Sequence, residues 1–231
     1  MIQKEYAAPI NHNTVLNPVL WDHDRLKPEV RGALLRMAED FIDFVDIPFD
    51  IKDIIITGGN VNFTYTKDSD IDLHIVADFN TVKCDREVAE LFDTKRLLYK
   101  RQHRLEIHGV PVELYIEDHR TPGVTAGMFS VAQDEWLKRP SKVIPKYDHV
   151  ELDRQVALWT KILQRAIMTG DLQICRKALK LLRVYRKKGL STPAGEFSIP
   201  NLVYKSLRND QVIDSMARLI DRLHGQELSI R

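Results

Sequence analysis

The chain has 231 residues, 44% of them apolar and 29% charged. That balance belongs to globular proteins and excludes disorder or low complexity for the chain as a whole. With 34 Lys and Arg against 33 Asp and Glu, the net charge of +1 gives no global reason for coating nucleic acid.

No apolar run approaches the roughly 20 residues of a membrane span, so no membrane partner is expected. Residues 1–14 lack the apolar stretch of a secretory signal. Two cysteines, Cys84 and Cys175, cannot build a disulfide framework, and a cytoplasmic protein with reduced thiols is the expectation. The charge is unevenly spread. Residues 151–231 hold 15 Lys and Arg against 8 Asp and Glu, a net of +7, which leaves residues 1–150 at −6. A cation-holding first part beside an anion-holding second part is the organisation this suggests.

Residues 1–27 read as an irregular arm, broken by Pro9, Asn11, Asn13, Asn17 and Pro18 and pinned by Trp21 and Leu26. Pro28 opens a predicted helix to about Val45, with apolar residues at steps of three and four. Residues 53–57 predict a short strand buried on both faces, stopped by Gly58-Gly59. Residues 70–76 alternate, with Ile71, Leu73 and Ile75 on one face and Asp70, Asp72 and His74 on the other. Asp85 is the expected cap of a helix to about Gln102. Two antiparallel strands, 104–108 and 111–116, should turn at His108-Gly109-Val110. A loop at 118–126 and a small hairpin at 128–137 follow. From Glu151 the pattern is helical: one helix closed by Gly170, a second capped by Asp171 and ended by Gly189, then two shorter helices across 201–224.

The chemistry concentrates in residues 58–73. A strand ends in Gly58 and Gly59, a turn and short helix follow, and a second strand opens with Ser69-Asp70-Ile71-Asp72-Leu73. Glycines let backbone N–H groups approach a phosphate, and a helix N-terminus favours the anion. Carboxylates at i and i+2 of one strand share a face, a spacing suited to hard divalent cations such as Mg²⁺. A third carboxylate on a neighbouring strand would complete a two-metal site. Glu113 is the candidate, with Glu117 on the same face as the fallback. His74, in line with Asp70 and Asp72, is expected to support the site rather than to act in it. Ser69 is expected to donate to a phosphate.

At these residues the chain resembles the DNA polymerase β-like nucleotidyltransferases. Members carry Gly-Ser or Gly-Gly, a spacer, Ser-Asp-x-Asp and a later Asp or Glu on another strand. Gly58, Gly59, Ser69, Asp70, Asp72 and Glu113 fit that order, over roughly residues 30–117. Gly59 stands where Ser is commoner, and Phe63 where many members have a small residue. The resemblance implies an α/β fold: a small mixed nucleotidyltransferase-type sheet flanked by helices at 28–148, then a helical, basic appendage at 149–231. It also implies an enzyme that moves a nucleoside monophosphate from an NTP such as ATP to an acceptor hydroxyl, releasing pyrophosphate. Two Mg²⁺ ions, with Mn²⁺ as substitute, would be held by Asp70, Asp72 and Glu113. The acceptor is open among an RNA end, a protein, a nucleotide and a small molecule.

One predicted helix carries Arg176, Lys177, Lys180, Arg183, Arg186, Lys187 and Lys188 with no acidic residue among them. Arg176, Lys180, Arg183 and Lys187 fall on one stripe. Like charges so placed repel, and a bound triphosphate or nucleic-acid backbone would offset that. In branches of the resembled family, basic residues of the appendage hold the triphosphate, which nominates Lys177 and Lys180. The rival reading is a non-catalytic module that keeps the fold and binds a nucleotide, a nucleic acid or a protein. A metal-dependent phosphohydrolase would need a histidine-rich ligand set. His12, His23, His103 and His119 do not form one by spacing.

Overall fold

In the computed structural model, residues 10–11, 13–82, 85–120, 125–142 and 146–229 are described. Cys84, His12, the side chain of the expected cap Asp85 and part of the expected loop (121–124) lie outside them. The chain divides into two units, residues 11–143 and a second made of residues 144–231 together with Ile10.

Residues 13–27, part of the segment expected to be irregular, are ordered before Pro28. Trp21–Asp22 (β1) and Arg25–Leu26 (β2) pair as a two-rung hairpin in which Trp21 faces Leu26. Leu16, Leu20, Trp21 and Leu26 are buried in the same apolar core as the sheet. Their apolar area outweighs the breaker residues that mark this stretch as loop. Helix α1 (Pro28–Val45) buries Val30, Leu34, Ala38, Phe41 and Val45 and closes on Asp46 in the left-handed region.

The sheet is built from β3 (Asp50–Thr57), β4 (Ile71–Asp78), β5 (Glu106–Ile107), β6 (Val110–Asp118), β7 (Met128–Ser130) and β8 (Glu135–Lys138), with α2 (Asp85–Gln102) between β4 and β5. Its order is β5-β6-β4-β3-β7-β8. The β4–β6 pair is parallel and the others are antiparallel. This is the mixed α/β architecture expected from the sequence. The alternation in β4 divides the sheet's two faces: Ile71, Leu73, Ile75 and Ala77 are fully buried, while Asp72, His74, Val76 and Asp78 are half-buried. His108 and Gly109, both with positive φ, make the two-residue turn from β5 to β6.

The second unit holds α3 (His149–Thr169), α4 (Leu172–Leu190), α5 (Ile199–Asn209) and α6 (Val212–Leu228). Asp148 caps α3 by accepting from the Glu151 N–H at 3.0 Å, and Asp171 caps α4 from Ile174 at 2.9 Å. Leu163, Leu182, Leu202, Leu207 and Met216 form its fully buried centre. Gly189 does not end α4, which runs on to Leu190. A Cβ there would lie 2.5 Å from Ser198 Oγ and 2.7 Å from Pro200 Cβ. The glycine serves close packing against the start of α5, not helix termination. Among the described residues, no helix is long and apolar enough to cross a membrane.

Candidate active site

Strand register creates the site. In β4, Asp72 lies opposite Thr57 of β3 on one side and Glu113 of β6 on the other. Asp70 precedes the first residue of β4 by one position, which returns it to the face of Asp72. Asp70, Asp72 and Glu113 each offer a carboxylate oxygen, and these atoms all lie within 4.8 Å of one another, each residue being half-buried. Three like charges at that spacing repel. Oxygen donors of this kind suit a hard divalent cation, which would remove the repulsion.

The backbone beside them is shaped to admit Asp72. Gly58 has φ of 87°, and a Cβ built on it would sit 2.3 Å from Asp72 Oδ2. Any other residue would face both the left-handed backbone and the carboxylate. Gly59 is less confined: a Cβ would meet Ser69 Oγ at 3.2 Å, so that side chain would have to give slightly, and Tyr65 Cα at an ordinary 3.5 Å.

The helix expected after the glycines is a single 3-10 turn, Gly59–Val61. The N–H groups of Val61 and Asn62 fold back on the carbonyls of Gly58 and Gly59 at 3.2 and 3.1 Å. Asn62 is extended, and its side-chain oxygen accepts the next N–H, from Phe63, at 2.7 Å. This local bond competes with helix continuation, so the expected helix dipole is lacking. Ser69 is likewise engaged within the loop: its hydroxyl accepts the Thr66 N–H at 2.9 Å, and its own N–H donates to the Thr66 carbonyl at 3.2 Å.

Asn60 organises this loop, and the sequence reading passes over it. It is fully buried. Its amide donates to the carbonyls of Asp70 at 2.8 Å and Ser69 at 3.2 Å, and its oxygen accepts from the Asn17 amide at 2.7 Å. The Asn60 carbonyl accepts the Trp21 indole N–H at 2.8 Å. The backbone that carries Asp70 is therefore fastened to the glycine loop and to the segment ahead of α1. An asparagine between Gly59 and Val61 signals a turn, but nothing local names a partner 43 residues away.

Glu113 is held at both oxygens. The Tyr115 hydroxyl donates to Oε2 at 2.7 Å, and the Lys100 ammonium pairs with Oε1. Burial alone would raise the pKa of this carboxyl, but the hydrogen bonds from Lys100 and Tyr115 outweigh it and keep Glu113 below the usual value. Burial and the neighbouring Glu113 and Asp72 charges push the Tyr115 phenol up, so it stays a donor.

Glu117 lies opposite Val76 rather than Asp72 and turns to His74, with Oε2 3.2 Å from Nδ1 but without hydrogen-bond alignment. His74 Nε2 is 3.1 Å from Thr57 Oγ1, and its ring stacks on Tyr115 with centroids 4.9 Å apart. His74 thus buttresses the tyrosine that orients Glu113. Along α2 and β6 a groove of 340 Å³ opens, walled by Phe92, Arg96 and Tyr115.

Lys177 and Lys180 belong to α4 in the helical unit, where both are exposed, as are Arg183, Lys187 and Lys188. Arg186 differs. Its guanidinium donates to Asn201 Oδ1 at 3.0 Å and lies 4.4 Å from the Tyr204 ring centroid. One member of the basic run thus ties α4 to α5.

No family model and no curated protein matches the chain. Among solved structures, the STING-associated CdnE c-di-GMP synthase from Capnocytophaga granulosa aligns with 87% of this chain and 67% of its own length, at 16% identity and a TM-score of 0.22. A likeness that distant carries no functional inference for this chain.

Proposed function

We propose that the chain is a Mg²⁺-dependent nucleotidyltransferase that moves a nucleoside monophosphate from an NTP to an acceptor hydroxyl and releases pyrophosphate. The observation that carries this reading is the convergence of the Asp70, Asp72 and Glu113 oxygens within 4.8 Å of one another, beside a Gly58 that must lack a side chain. Divalent ions bound there, Mg²⁺ or its substitute Mn²⁺, would polarise the phosphate and lower the pKa of the acceptor hydroxyl. Asp70 and Asp72 would hold the ions that neutralise the triphosphate. Glu113, on the neighbouring strand, would hold the ion that lowers the acceptor hydroxyl's pKa and would help take its proton. By the family resemblance, Lys177 and Lys180 would be the residues that neutralise charge on the leaving pyrophosphate. On this reading residues 28–148 are the catalytic part and residues 149–231 a basic appendage. The acceptor class is an RNA end, a protein, a nucleotide or a small molecule.

A non-catalytic nucleotide-binding module is favoured by one observation, the Lys100 ammonium already set against Glu113. The deciding experiment supplies each α-labelled NTP with Mg²⁺ and a cell extract, and asks which class of acceptor takes the label. Asp70→Asn and Asp72→Asn should each reduce transfer by more than about a hundredfold, the upper range for residues that merely support a metal ligand. Wild-type transfer in both variants would remove the metal-site assignment. Mg²⁺-dependent NTP binding without any labelled product would establish the non-catalytic reading.

A further inference from the structure

Glu113 already has a cation against it, supplied by the chain. Lys100 stands in the last turn of α2, and its ammonium pairs with Glu113 Oε1 although the lysine side chain is 56% exposed. The other oxygen, Oε2, accepts from Tyr115 at 2.7 Å. A divalent ion shared by Asp70, Asp72 and Glu113 needs a Glu113 lone pair. Two cations at one carboxylate oxygen repel each other. Ammonium and divalent ion therefore compete for the same group.

The bond that holds Lys100 is of the exchangeable kind. A half-exposed lysine is a point charge on a flexible four-carbon stem, and exposed ion pairs contribute little to stability. Its neighbour one turn back is fixed differently: Arg96 donates to Asp93 at 2.6 and 2.9 Å and lies 5.0 Å from the Tyr115 ring centroid. The outer edge of β6 is paired with β5 at Val110 and Pro111, and the Val112 N–H donates to the Leu105 carbonyl at 3.0 Å. Lys100, on a helix that packs along β6, reaches the triad only through Glu113.

We infer that Lys100 is a built-in stand-in for the divalent ion. It neutralises Glu113 when the site holds no ion and is displaced when one binds, so that the site's affinity is set partly by this competition. The inference rests on the metal-site reading above, and the test separates the two. Mn²⁺ affinity is measured without nucleotide, from the free-ion electron paramagnetic resonance signal, for the wild type and for Lys100→Met, Lys100→Gln, Lys100→Arg and Asp72→Asn.

Both neutral variants should bind Mn²⁺ about fivefold more tightly, the equivalent of an exposed ion pair removed. Lys100→Arg, which keeps the charge, should bind no more tightly than the wild type. A purely structural lysine would give unchanged or weaker binding in the neutral variants, and either result overturns the inference. Loss of binding in Asp72→Asn together with such a result leaves the metal site standing and removes only the exchange. Absence of Mn²⁺ binding in the wild type and the neutral variants alike would overturn both.

Discussion

In the sheet unit, each acidic residue of the triad is tied to groups from other stretches of chain: Asp72 to the space left by Gly58, the Asp70 backbone to Asn60, and Glu113 to Lys100. In the helical unit the basic residues follow one another along α4 at steps of three and four, and Lys177, Lys180, Arg183, Lys187 and Lys188 stay exposed. The first arrangement is cooperative and geometric, so a single change should propagate through it. The second is exposed and electrostatic, so single changes should cost the fold little and act on a bound anion in a salt-sensitive way. That contrast orders the expected effects.

The largest belongs to Gly58→Ala. The new Cβ would stand 2.3 Å from Asp72 Oδ2, on a backbone with φ of 87°. The strain alone costs about 1–3 kcal/mol. Because the side chain that must yield is the central carboxylate, divalent affinity and nucleotide transfer should fall with the melting temperature. Thermal melts with and without Mn²⁺ check this. A variant that loses stability yet keeps the full Mn²⁺-induced shift would break the link between glycine and carboxylate.

Next comes Asn60→Ala, which leaves the Asp70 carbonyl and the buried Asn17 amide without their partner. Stranding buried polar groups costs about 1–3 kcal/mol each. Transfer should drop beyond what unfolding explains, because the backbone under Asp70 is released. Activity measured well below the variant's own melting temperature separates the two effects.

Tyr115→Phe is smaller. It removes the 2.7 Å bond to Glu113 and keeps the ring that stacks on His74. A hydrogen bond to a charged group is worth about 1.5–3 kcal/mol at most, and Lys100 still holds the other oxygen. The sign in pH follows from Glu113. Its pKa is lowered in the folded protein, so its stabilisation is present above the unfolded value and lost as pH falls through the folded one. Tyr115→Phe moves the folded value back toward the ordinary range, so this acid-dependent loss should shrink. Urea midpoints for both proteins between neutral and acid pH give the comparison.

These partners also mark what was legible in the sequence. The strict alternation in β4 and the Asp-x-Asp spacing are local, so Asp70 and Asp72 could be placed on one face directly. Glu113 followed from the same rule applied to β6, and the cap Asp171 lies where helical periodicity resumes after Gly170. Asn60 with Asn17, Lys100 with Glu113 and Gly58 with Asp72 are pairings between elements. They depend on strand register and on the path of α2 along β6, neither of which a local pattern contains. The short helix expected after Gly59 is present as a single 3-10 turn and goes no further for a related reason: the Asn62 side chain satisfies the backbone that a longer helix would use. Gly189 misled in the opposite direction, because a helix-stop signal and a close-packing glycine look alike until α5 is in view.

The smallest effects lie on α4, where they sort the basic residues by task. Arg186→Ala should cost stability, about 1 kcal/mol from the bond to Asn201 and the contact with the Tyr204 ring, with NTP affinity unchanged. Lys177→Ala and Lys180→Ala should do the reverse, because exposed lysines contribute little to folding. A triphosphate is compact, whereas Arg176, Lys180, Arg183 and Lys187 span roughly 16 Å along a helix that rises 1.5 Å per residue. One or two lysines should therefore dominate NTP affinity, and the others should matter little. A nucleic-acid backbone would follow the whole stripe. Each alanine would then weaken RNA binding by a similar amount and flatten its salt dependence by about one unit of slope. The net charge of +7 over residues 151–231 is modest for a dedicated RNA binder, and Tyr185 is the one aromatic residue interleaved in the run, which favours the triphosphate. NTP and RNA affinities of the single alanine variants across a salt series decide it: equal losses for RNA with unchanged NTP affinity would reverse the assignment and make RNA the acceptor to test first.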